Sequence, residues 1–133
     1  MHLLVNFKDA LKERTRNKLF LLTLAFAIFY FLFQILYRTT ADMINNTYYA
    51  DKLAHASFGY VLFSFWFVFM MKAKMSKNFS LLASLIFLLG ISILKELTDY
   101  FRMTGIGIFS IEDIAAAIVG IGIFYLADYR KMK

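Results

Sequence analysis

Four long apolar runs, separated by short polar segments, dominate the pattern of the chain. The first runs from Leu19 to Tyr37 without a charge, and the second from Leu53 to Met71. The third starts at Phe79, is apolar to about Leu94 and extends as a span to 97; the fourth covers 111–127. Runs of about 17–25 apolar residues are long enough to cross a hydrocarbon core of roughly 30 Å as helices. The pattern predicts an all-α, integral membrane, four-helix up-and-down transmembrane bundle. Residues 1–18 precede it as a cytoplasmic segment, 19–127 form a single transmembrane domain, and 128–133 form a basic cytoplasmic tail. Within 1–18, Leu3 to Lys18 reads either as a short amphipathic helix or as a frayed basic tail. The first apolar run is too long for the core of a signal peptide, so it is read as an uncleaved helix.

Composition sharpens this picture. Of 133 residues, 61% are hydrophobic and 19% aromatic, with a mean hydropathy of +0.63, well above the roughly 45–50% apolar content of soluble domains. The chain has no proline, so no span should be sharply kinked. It has no cysteine, which excludes thiol catalysis, zinc–thiolate sites and iron–sulfur clusters within these residues. The net charge of +6 is read by its placement and not as a nucleic-acid signal. Segments 1–18, 72–78 and 128–133 hold eleven of the fifteen Lys/Arg, whereas 38–52 and 95–113 hold four. Basic side chains resist translocation. Both termini and the 72–78 loop are therefore expected in the cytoplasm, giving a multi-pass protein of the bacterial inner membrane.

The same topology gathers ionisable residues at the extracytoplasmic end. Asp51, Lys52 and His55 open the second span; Lys95, Glu96, Asp99 and Arg102 close the third; Glu112 and Asp113 open the fourth. Asp51 and His55 are one helical turn apart, as are Glu96 and Asp99. Asp113 shares a face with Ala116, Ala117 and Gly120, small residues that let membrane helices approach closely. Charged groups at this depth are costly unless paired or facing a wet cavity, which makes the set a candidate site. The plainer reading is structural: Ser110 and Asp113 form a capping box, and Lys95, Asp99 and Arg102 form surface ion pairs. The ligand-binding candidates are Asp51, Lys52, His55, Lys95, Glu96, Asp99, Arg102 and Asp113. Asp51, His55, Glu96, Asp99 and Asp113 are also candidate ligands for a divalent metal, with His55 or Glu96 as general base in a catalytic reading.

Asp51-Lys52-Leu53-Ala54-His55, then Lys95-Glu96-Leu97-Thr98-Asp99, then Asp113 with Gly120, resembles the VanZ-like family of small membrane proteins. The Lys-Glu-x-x-Asp form is similar to the YfiM-like group. The resemblance covers roughly residues 51–122 and implies a cell-envelope role. It points to an outward polar cluster binding a lipid headgroup or a glycopeptide-like molecule. Alternatives are a metal-dependent membrane enzyme acting on an envelope lipid, and an accessory or assembly subunit. Expected partners are membrane lipid and a membrane protein or second copy seated on the Ala116/Gly120 face. Nucleic acid is not expected, and a proton path ranks last.

Overall fold

The computed structural model describes residues 2–36, 48–101 and 110–132. These residues are all-α, with five helices and no strand among them. The helices are α1 (His2–Thr15), α2 (Lys18–Leu36), α3 (Tyr48–Lys72), α4 (Lys77–Tyr100) and α5 (Ile111–Ala127), followed by a short 3-10 turn at Tyr129–Lys131. The four apolar runs thus become α2 to α5, and the N-terminal segment is helical.

Local chemistry sets the ends. Asn17 caps α2, its Oδ1 accepting the amides of Leu19 (2.9 Å) and Phe20 (3.3 Å). Ser76 caps α4, its hydroxyl accepting the Phe79 amide at 3.3 Å. After α3, the Met75 amide bonds back to Met70 O at 3.2 Å and the Lys74 amide to Met71 O at 3.0 Å. That pair of bonds is a Schellman closure, and Lys74 takes the left-handed position with φ 63°.

Long-range packing differs from a ring of four helices. The central element is α3, which touches each of the other four. Among the described residues α2 packs on α3 and α1 but not on α4 or α5, while α4 meets α3 and only the edge of α5. Two helices, α3 and α4, are long and apolar enough to cross a membrane by length and composition. The closer description is therefore a hub with three long helices around it. Consequently α3 is mostly buried and α4 mostly exposed.

The tightest approach is between α3 and α5, which run parallel. Gly59 lies against the backbone of Ala117, and Gly120 lies against Ala56 O and Tyr60 N. Below this crossing Phe124 of α5 packs between Phe63 (5.2 Å) and Phe67 (5.3 Å) of α3. Trp66 of α3 stacks on Phe87 of α4 at 4.2 Å, and such pairs add about 0.5–1.5 kcal/mol each beyond burial. The Gly120 face, offered by the sequence to a partner, is occupied by α3 of the same chain. Large apolar side chains remain exposed elsewhere, among them Leu22 and Phe29 on α2, Ile86 and Leu94 on α4, and Val119 and Leu126 on α5.

The same substitution should act oppositely at two glycines. A Cβ on Gly59 would overlap the carbonyl oxygen of Ala117, whereas one on Gly90 meets nothing within 4 Å. Gly59→Ala should destabilise the protein by roughly 1–3 kcal/mol. Gly90→Ala should stabilise it by about 0.5–1 kcal/mol through helix propensity. Thermal unfolding in detergent checks both signs.

Candidate functional site

The start of α3 and the start of α5 meet because of that glycine crossing, which brings Asp51, Lys52 and His55 level with Asp113. Lys52 is the hub of the charge network. Its Nζ pairs closely with Asp113 and lies 3.6 Å from Asp51, 3.7 Å from Glu112 and 3.5 Å from the Ser110 hydroxyl. His55 Nε2 lies 3.4 Å from Asp113 Oδ2 and 3.8 Å from Asp51 Oδ1. Tyr30 of α2 reaches in, its hydroxyl donating to Asp51 Oδ1 at 3.4 Å.

The end of α4 closes the other side. Lys95 Nζ lies 2.9 Å from Glu96 Oε1 and 3.5 Å from Asp113 Oδ2. Glu96 is 1% exposed, and its Oε2 accepts the Ser110 amide at 2.7 Å. The structure thus brings together Asp51, Lys52, His55, Lys95, Glu96 and Asp113 from three helices. The side chain of Asp99 and all of Arg102 lie outside the described residues.

Within this assembly the roles differ. One donor atom each from Asp51, His55 and Asp113 lie within 4.8 Å of one another. Glu96 is not among these converging donors; its two oxygens are committed to Lys95 and the α5 N-terminus. The expected capping box is not formed. Ser110 stands at the N-cap with extended backbone, but its side chain makes no cap bond, and Asp113 turns to Lys52 instead. The reason is energetic: a mostly buried carboxylate gains more from an ammonium than from one amide. Among the described residues the cluster has four carboxylates (Asp51, Glu96, Glu112, Asp113) against two ammoniums (Lys52, Lys95), a net charge of −2 with His55 neutral.

A second polar centre, not foreseen from the sequence, lies at the opposite end. Arg14 of α1 is buried and pairs closely with Asp128, just past α5. The Tyr60 hydroxyl donates to Asp128 Oδ2 at 2.7 Å, and Asn17 Nδ2 donates to its Oδ1 at 2.9 Å. Arg14 also donates to Tyr60 Oη at 3.1 Å and rests over the Phe20 ring at 5.1 Å. No spacing rule links residues this far apart. The available signal was a tyrosine within an apolar span, whose hydroxyl needs a partner.

With the geometry in view, the chain can be compared with known proteins. The profile of the family described as "Predicted periplasmic lipoprotein (DUF2279)" matches residues 42–129, about two thirds of the chain. The chain belongs to that family, whose description indicates association with the cell envelope. Neither curated proteins nor solved structures give a significant match. The family match corrects the VanZ-like assignment. With it falls the function drawn from that resemblance, a VanZ-like protein binding a lipid headgroup or glycopeptide-like molecule, together with its enzyme and assembly alternatives. The misleading pieces were short: Asp51, Lys52 and His55 share one helical turn that meets Asp113, and so few residues describe a local geometry and not a family.

Burial alone would raise the Asp128 carboxyl, but hydrogen bonds from Tyr60 and Arg14, Arg14's charge and the Asn17 bond hold it below its ordinary value near 3.8. A depressed folded-state value contributes stability that is present above the unfolded-state value and lost as pH falls through the folded one. Acid unfolding should therefore steepen below pH 3.8. Asp128→Asn should lower stability at neutral pH and flatten that slope, as measured by unfolding across pH.

Proposed function

We propose that this family member spans the membrane of the cell envelope as a helical bundle of α2 to α5 and holds a divalent cation between Asp51, His55 and Asp113. Spanning is supported by two helices of sufficient length and by the large apolar side chains exposed around α2, α4 and α5. The basic residues collected at the Arg14 end support an extracytoplasmic position for the Asp51–His55–Asp113 end.

The observation that carries the cation reading is convergence with a charge deficit. Three donors from two helices come within 4.8 Å of one another in a cluster whose described residues carry a net charge of −2. Two carboxylates and one imidazole suit zinc or manganese, and three protein ligands leave positions open for water or a substrate. Tyr30 at Asp51 and Lys95 at Asp113 are outer groups that orient the carboxylates. Lys52 is the internal competitor, because its ammonium occupies Asp113.

Zinc or manganese binding to the full chain in detergent, read by equilibrium dialysis with elemental analysis, tests this. A single ion per chain is expected. Affinity should fall by more than about tenfold in His55→Ala and Asp113→Asn, at least the loss typical of an outer-shell change. Lys52→Gln should tighten binding by freeing Asp113. Binding that is absent, or indifferent to all three substitutions, would overturn the proposal.

A further inference from the structure

The helix α1 presents a buried strip and, adjoining it, an exposed apolar stripe edged by basic residues. Ala10 and Arg14 are buried in the bundle. Leu3, Leu4, Phe7 and Leu11 are exposed, with Leu4, Phe7 and Leu11 spaced as one helical stripe. Lys8 lies one turn from both Leu4 and Leu11, Lys12 follows it, and both are exposed.

Contacts with α3 set the level of Phe7 along that helix, with Glu13 nearer its end. Phe7 meets Phe65 edge-on at 5.1 Å and Phe69 at 6.4 Å. Glu13 pairs with Lys72, the last residue of α3, at 2.7 Å. Phe65 and Phe69 precede Lys72 by seven and three residues, roughly 5–10 Å along the helix axis. That is the depth, about 5–10 Å below the headgroup boundary, at which amphipathic helices lie in a bilayer interface.

Charge identifies what covers the stripe. Around it this end of the molecule exposes Lys8, Lys12, Arg16, Lys72, Lys74 and Arg130, against the exposed acids Asp9 and Glu13. An apolar stripe bordered by a basic collar matches an anionic leaflet, with acyl chains beside the leucines and phosphates beside the ammoniums.

We propose that α1 is an interfacial helix that seats Leu3, Leu4, Phe7 and Leu11 in the headgroup–acyl boundary of an anionic phospholipid leaflet while Arg14 and Ala10, on the adjoining strip of the helix, hold it to the bundle. This rests on the reading that α3 and α4 cross the bilayer; it does not depend on the cation site.

Because the chain has no cysteine, each introduced one is a unique attachment point. Full-length Leu4→Cys, Leu11→Cys, Asp9→Cys and Ile86→Cys, each carrying a fluorescent label, are reconstituted in phosphatidylcholine–phosphatidylglycerol vesicles. Quenching is read with lipids brominated near the headgroup and with iodide. Labels at 4 and 11 should be quenched by brominated lipid and shielded from iodide, with the reverse at 9, and the lipid quenching should fall when phosphatidylglycerol is omitted. Lipid contact at 86 with open water at 4 and 11 overturns the interfacial helix and leaves the bilayer crossing standing. Iodide access at 86 overturns the crossing, and the inference with it. Quenching at 4 and 11 that ignores phosphatidylglycerol overturns the anionic partner.

Discussion

Everything specific in this molecule depends on how closely α3 and α5 approach. Gly59 against Ala117 and Gly120 against Ala56 and Tyr60 leave no room for side chains between the two backbones. That contact sets the register of two parallel helices. Once it is made, Lys52 and His55 stand beside Asp113 at one end, and Tyr60 stands beside Asp128 at the other. Such an approach draws on close van der Waals packing between the two backbones.

The two polar centres are the consequences of that register, and they differ in character. Around Asp128 the contacts are short and those from Arg14 and Tyr60 are buried: an arginine, a tyrosine and an asparagine converge on one carboxylate. Breaking such a buried pair by deleting one partner typically costs about 3–5 kcal/mol, since the other charge is stranded. Around Asp113 the pair with Lys52 is close, while most other contacts of the cluster run 3.4–3.8 Å and several groups are partly exposed. One centre is built to stay closed, and the other leaves room to exchange partners.

The sequence disclosed the helices and the convergence of Asp51, Lys52, His55, Lys95, Glu96 and Asp113, because both follow from period and length. It disclosed the importance of Ala117 and Gly120, but not that their partners are Ala56 and Gly59. Spacing along one helix states which residues share a face and nothing about the helix opposite. The hub arrangement around α3 was hidden for the same reason. Arg14 was hidden by its neighbours: among Lys12, Arg16 and Lys18 it reads as one more solvated cation. The family assignment failed where it leaned on short motifs, each of which describes one helical turn and not the whole chain.

The Arg14–Asp128 pair also sets an order of events. Its partners are 114 residues apart. At a synthesis rate of about 5–20 residues per second, Asp128 follows Arg14 by roughly 6–23 s. For that interval α1 lacks the Asp128 carboxylate that pairs with the arginine it must bury. Burial of Arg14 against its counter-ion is thus a late act that follows α5 onto α3. Arg14 thereby reports that α5 is in place: until Asp128 arrives, the arginine that α1 must bury lacks its counter-ion.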